Sequence, residues 1–285
     1  MAHCIGKDEN VGKALWRLLS DDIDEARQML SSSEETPDQR VHRARQRLKR
    51  ARSTLGVLKP VIGHSARDLR RSIAAAARLL AVARDADVVA ATARNLREMN
   101  TPEDDAGLDR VIVELDRRAK EAHRIDAPVE EVIARLSAVE VALEQLRRKI
   151  DGAALFDTAL AVAYRNGREA MERARLSPST PDLHGWRKDV KTLWHLICLG
   201  GKRVPKPIRG MADDLGRLGD LLGYDHDHAV LAERLALSPE ANHSLMRQLS
   251  MIAAERHALE SEAFAIGRKV YKRKPKAFAR KARLD

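Results

Sequence analysis

Aromatic residues make up only 3% of this 285-residue chain, three each of Phe, Trp and Tyr. So few rings disfavour an aromatic-rich β-sandwich and leave little on which single-stranded nucleic acid could stack its bases. Cysteine is scarcer still. Cys4 and Cys198 lie far apart and make no CxxC spacing, which argues against a disulfide-stapled secreted domain and against a dithiol or zinc motif. No apolar stretch approaches the ~18 residues of a membrane span, and Arg78 and Arg84 interrupt even the Ala-rich run from Ile73. The first nine residues lack the apolar run of a signal peptide. A soluble, cytoplasmic protein in a reducing compartment, with no membrane partner, is expected. No GxxxxGK[ST] phosphate loop occurs, so nucleotide cradling is unsupported and nothing calls for a cofactor.

What the chain holds in excess is charge. Fifty-two Lys and Arg against forty-two Asp and Glu give a net +10 and a pI near 9.8, a balance that points to an anionic partner. The excess is not spread evenly. Residues 40–84 carry thirteen cations against Asp68 alone, and residues 268–285 carry nine against Asp285 alone. The remainder of the chain is therefore mildly acidic.

Between its ten prolines the sequence is dominated by Ala, Leu, Arg and Glu at helical spacing, with no β-branched alternation. This predicts an all-α fold. The pattern marks helices near 10–31, 39–58, 64–98, 104–150 (broken near Pro128), 153–175, 182–199, 207–236 (bent at Gly223) and 240–271. Asp38 and Asp182, each following a Thr-Pro pair, stand where helix N-caps are expected.

The chain also repeats itself. His42-x-x-Arg45-x-x-x-Lys49 recurs as His184-x-x-Arg187-x-x-x-Lys191 at an offset of 142, and the same offset places Leu80 on Leu222, Asp85 on Asp227 and Val88 on Val230. Six identities at one offset predict a duplicated four-helix unit, about 10–150 and about 153–267, followed by a basic tail over 268–285. On a helix turning 100° per residue, His42, Arg45 and Lys49 share one stripe with Arg52 beside them, next to a core face of Ala44, Leu48, Ala51 and Leu55. The second copy repeats the stripe with His184, Arg187, Lys191 and His195.

Residues 40–52 hold seven cations and no carboxylate, and like charges one turn apart cost a helix ~0.2–0.5 kcal/mol per pair. An anionic ligand would offset that cost; the bland alternative is that the cations pair with acids on neighbouring helices. Arg supplies a bidentate fork to phosphate oxygens, Lys a point charge and His a donor that gains charge as pH falls. A long, plain, highly charged anion suits this set better than a nucleotide.

The runs Val41-His42-Arg43-Ala44-Arg45-Gln46-Arg47-Leu48-Lys49-Arg50-Ala51-Arg52, Ala83-Arg84-Asp85-Ala86-Asp87-Val88, Leu183 to His195 and Leu222 to Leu231 resemble, in order, the four signature blocks of the CHAD family, the conserved histidine α-helical domain. The resemblance spans about residues 10–265. It implies two four-helix bundles related by a pseudo-twofold around a basic central cleft or pore that binds inorganic polyphosphate without catalysis, for sequestration or for targeting to polyphosphate granules. The ligand-facing residues it implies are His42, Arg45, Lys49, Arg50 and Arg52 in the first copy and His184, Arg187, Lys188 and Lys191 in the second. Gln46 stands where the family often has a further cation. Arg84 and His226, equivalent at the offset, are weaker candidates, as are Arg67, Arg71 and Arg78 on charge, Arg165 and Arg168 in a family-like Tyr164-Arg165-x-x-Arg168 helix, and His195.

Two other functions compete. A basic helix bundle with a basic arm could bind nucleic-acid backbones, the tail being the natural contact. His226-Asp227, with His228 and His184 near in the repeat, also resembles the metal pair of HD-type phosphohydrolases, although a strongly cationic field opposes a divalent metal. Asp85 and Asp227 are expected to orient Arg or His rather than to do chemistry, Trp186 and Trp194 to pack in core and rim. His3, His64, His123, His243 and His257 are expected to be surface or satisfied core histidines.

Overall fold

The structure is a computed structural model, and it describes residues 3–98, 106–124, 128–237 and 243–284. Among these there is no strand. The helices are α1 (Val11–Ser31), α2 (Pro37–Ile62), α3 (His64–Leu79), α4 (Val82–Glu98), α5 (Ala106–Arg124), α6 (Val129–Leu146), α7 (Gly152–Leu176), α8 (Thr180–Gly200), α9 (Lys206–Arg209), α10 (Ala212–Ala236), α11 (His243–Val270) and α12 (Pro275–Lys281), with a 3₁₀ turn at Gly201–Arg203.

Helix starts differ from expectation in an instructive way. The cap of α2 is Thr36, locked in a reciprocal box with Gln39, and the cap of α8 is Ser179, whose hydroxyl accepts from the Asp182 amide. Pro37 and Pro181 thus sit inside the first turn. Proline's fixed φ suits that position, and its missing N–H is one the turn would leave unpaired anyway. α10 runs unbroken through Gly223, where a bend was expected. The break lies in the other copy, at Leu80–Ala81 between α3 and α4, where one long helix was expected. Ala81 is the residue equivalent to Gly223.

The two copies do not keep separate cores. One apolar core joins α1, α2, α3 and α6 to α7, α8 and α10, with Leu15, Leu48, Leu136, Phe156, Trp186 and Leu215 all fully buried. A smaller core holds Val89, Ala93 and Leu96 of α4 and Leu108 of α5 against Leu231 and Leu235 of α10 and Ile252 of α11. The α4–α5 pair of the first copy therefore packs on the distal ends of α10 and α11 of the second.

The tail is built into the fold instead of forming an arm. Phe278 of α12 is fully buried and stacks on Tyr164 of α7, ring centroids 3.8 Å apart. The Tyr164 hydroxyl donates to the Arg273 carbonyl at 3.0 Å, and the Leu284 amide donates to Asp157 at 2.9 Å. The offset of 142 places Phe278 on Leu136, and α12 packs on α7 as α6 packs on α1. The tail supplies the second copy's counterpart of α6.

Candidate functional site

The basic stripe of α2 and that of α8 face regions of their own copies and meet where α2 touches α8. In the second copy α8 lies on α10 in an antiparallel register set by glycine. A Cβ at Gly219 would fall 2.6 Å from Lys191 Cε, one at Gly223 would fall 3.0 Å from Arg187 Nη2, and Gly216 lies against Trp194. The three glycines form a furrow in which Arg187, Lys191 and Trp194 lie flat. One turn beyond, the rings of His184 and His226 stack with centroids 4.2 Å apart.

This end of the site is electrostatically loaded. Burial, the neighbouring His226 ring and the charges of Lys188 and Arg187 hold His184 down to about 4. His226 is lowered by burial and by Arg187, against the opposing pull of Asp227 and Asp225. Nδ1 of each ring and Nε of Arg187 are buried with no hydrogen-bond partner among the described residues. Lys188 is exposed. Lys191 is held at the rim, donating to Asp220 at 2.9 Å, with its ammonium 5.4 Å over the Trp194 ring.

The first copy uses the same residue types differently. Arg45 Nη1 donates to the Leu80 carbonyl at 3.1 Å, at the end of α3, and Nη2 lies 3.6 Å from Asp85. Its guanidinium thus closes a helix end that does not exist in α10. Asp85 orients an arginine, as expected. Gln46 Nε2 lies 2.8 Å from His42 Nε2, so the two side chains are linked along α2. Lys49 is exposed and Arg52 half-buried. Burial and the charges of Arg70 and Arg78 lower Arg52, whose Nε is buried without a partner among the described residues.

The two rows converge on His195. It is half-buried, and burial together with Arg50, Lys191, Lys49 and His3 holds it down to about 4. Arg50 of α2 lines one small cavity with His195, so charge from α2 and from Lys191 of α8 bears on the same ring.

Other expected residues lie elsewhere. Arg71 pairs with Asp68 at 3.7 Å on the solvent face of α3, and Arg67 is exposed near it. Arg168 does not enter the site: its guanidinium donates to the backbone carbonyls of Tyr271 and of Arg273, the latter at 3.0 Å, and so holds the tail. Arg165 is exposed on the same helix. The side chain of Arg84 lies outside the described residues, as do those of His123 and His243. Several cations of residues 40–84 have acid partners, Arg43 with Glu35 and Arg47 with Asp22 and Glu25 among them, which is the bland alternative realised for part of the run.

Two residues were missed. Arg70 joins Arg52, and only its position two turns from Arg78 on α3 could have signalled that. His3, expected to be unremarkable, lies 3.1 Å from the fully buried Asp22 and beside Arg50 and His195; no local pattern in the sequence announces it. Trp186 is core, stacked on Phe264, and Trp194 rim, as expected. Among the described residues no three His, Cys, Asp or Glu side chains converge as metal ligands.

The CHAD domain family model matches residues 17–236. The chain belongs to the CHAD family. The crystal structure of the CHAD domain from the plant Ricinus communis superposes with a TM-score of 0.68 at 16% identity, covering 100% of this chain and 98% of that one. At that identity the likeness speaks for the shared CHAD fold. No curated protein matches the chain. Within the family match lie both stripes; α11 and the docked tail lie past it.

Proposed function

We propose that this CHAD protein binds inorganic polyphosphate without catalysing a reaction on it, along the two basic stripes of α2 and α8, as a means of sequestration or of targeting to polyphosphate granules in the cytoplasm. The observation that carries this reading is the convergence of cations from both copies on His195, with Arg52, Arg187, His184 and His226 each holding a buried nitrogen that has no partner among the described residues. Buried polar groups without partners cost free energy, and a linear polyanion would supply acceptors to all of them at once. The proposed contacts are His42, Lys49, Arg50, Arg52, His184, Arg187, Lys188 and Lys191, with Arg78, His195 and His226 from the weaker candidates and with Arg70, whereas Arg45 is held by the Leu80 carbonyl and Asp85.

Nucleic acid is the competing ligand. Against it stand the docked tail, which offers cations on a fixed helix and not on a reaching arm, and the scarcity of exposed rings. The test is displacement of labelled polyphosphate by unlabelled polyphosphate, duplex DNA and RNA at ~0.15 M salt, compared per phosphate because backbone binding is salt-dependent and sequence-blind. Polyphosphate is expected to displace most tightly. Tighter displacement by nucleic acid would overturn the proposal, as would phosphate release from the chain by the purified protein with added Mg²⁺ or Mn²⁺.

A further inference from the structure

A cavity of about 80 Å³ lies between the N-terminal segment, α2 and the second half of α8, lined by His3, Arg50, Ser53, Thr54, His195 and Cys198. Its polar lining is made of donors. Arg50 is half-buried and forms no ion pair among the described residues, and His195 makes no hydrogen bond there. The Ser53 and Thr54 hydroxyls bond back to the Lys49 and Arg50 carbonyls at 3.3 Å each, long enough that turning to a better acceptor costs little. One fully buried carboxylate, Asp22, lies behind the site with the charges of His3, Arg50 and Arg47 bearing on it, and Asp213 lies at the edge. Asp22 sits behind His3, 3.1 Å from its ring and 3.5 Å from Arg47, while Asp213 bears on Cys198 from α10.

We propose that this cavity is a site for one tetrahedral phosphoryl group, either free orthophosphate or the terminal phosphoryl of a polyphosphate chain. Size supports the match: at ~10–15 Å³ per water-sized sphere the cavity holds roughly six such spheres, close to the five heavy atoms of orthophosphate. Charge supports it as well. A terminal phosphoryl has three non-bridging oxygens and a second ionisation near pH ~6, as phosphomonoesters do, whereas an interior unit has two such oxygens and one charge. An arginine fork with the His195 ring and two hydroxyls discriminates in favour of the former, while His3, turned to Asp22 and Arg47, closes the cavity wall. The site lies where the two basic rows meet, so a chain seated on them could end in it. The chain-end source rests on the polyphosphate reading; binding of orthophosphate does not.

Equilibrium dialysis of the full chain against labelled orthophosphate tests the site. One saturable site is expected, weakened at least tenfold in Arg50→Gln and equally in Ser53→Leu, which fills the cavity and keeps the arginine. If either variant fails to fold, shifts of the His195 ring resonances on adding orthophosphate to the unsubstituted protein give the same reading. Polyphosphates of equal length, with both ends free or both esterified, then separate the sources. A tenfold preference for free ends identifies the chain end as occupant, and equal affinity with orthophosphate still bound identifies free phosphate. No saturable orthophosphate, no ring shift and no end preference overturn the cavity site, even if long chains still bind along the stripes. Orthophosphate that binds and is lost in Ser53→Leu, with no affinity for any chain, upholds the cavity and sinks the polyphosphate reading.

Discussion

Arg45 and Arg187 hold the same place in the two copies of the repeat but not the same freedom. Arg45 is occupied by the Leu80 carbonyl and Asp85, whereas Arg187 lies over Gly223 with its Nε unpartnered among the described residues. Arg45→Ala should therefore cost about 1 kcal/mol of stability and little affinity. Arg187→Ala should do the reverse, weakening polyphosphate binding roughly tenfold or more, since a hydrogen bond to a charged group contributes ~1.5–3 kcal/mol. Thermal unfolding and filter binding on both variants check the ranking, and the opposite order would contradict the assignment. The histidines make a second prediction. His184 and His195 are held to about 4 in the free protein, below the unfolded value of about 6.5. As pH falls from 6.5 towards 4 the unfolded chain takes up these protons first, so the stability they contribute is present above 6.5 and is lost across that window. A bound polyanion raises both values, so binding takes up protons and tightens as pH falls towards about 4, where the free protein takes up the same protons. Replacing both histidines by Gln should flatten the affinity profile, read by calorimetry in buffers of different ionisation enthalpy.

Helices that carry the recurring motif differ in how they hold it. In the second copy one long α10 carries the glycine furrow at 216, 219 and 223; in the first, Ala74 and Ala77 occupy the first two places and the chain breaks at Ala81. Without a furrow, the α2 cations cannot lie flat on α3, and Arg45 turns instead to the exposed helix end. The tail obeys the same logic of elements. With Phe278 fully buried against Tyr164, Phe278→Ala should destabilise the fold by ~3–5 kcal/mol, seen as a lowered Tm, and removal of residues 275–285 should cost at least as much. An unchanged Tm after truncation would show that α12 contributes nothing to the fold.

At the scale of the whole molecule, the net charge of +10 conceals a cationic seam in a mildly acidic body. Binding at that seam releases counterions, so affinity should fall linearly on a log–log plot against salt, and the slope should be shallower in Arg187→Ala by about one neutralised phosphate. An unchanged slope would remove Arg187 from the contacts. Helix type and the two stripes were legible because both are written in local periodicity. The break at Leu80–Ala81 was not, because Ala-rich sequence favours helix throughout and tertiary packing decides where it stops. The roles of Arg168, His3 and Arg70 were hidden for the same reason: their partners lie far along the chain.

The sequence by itself determined an all-helical chain with its cations in rows and one basic motif recurring at a fixed offset, since helical spacing and charge are properties of short segments. Only the tertiary structure decided which of those cations stay available, because that depends on which carbonyls and carboxylates folding brings within reach. It closed Arg45 onto a helix end and Arg168 onto the tail, and it gathered Arg50, His195 and His3 from three segments around one small cavity.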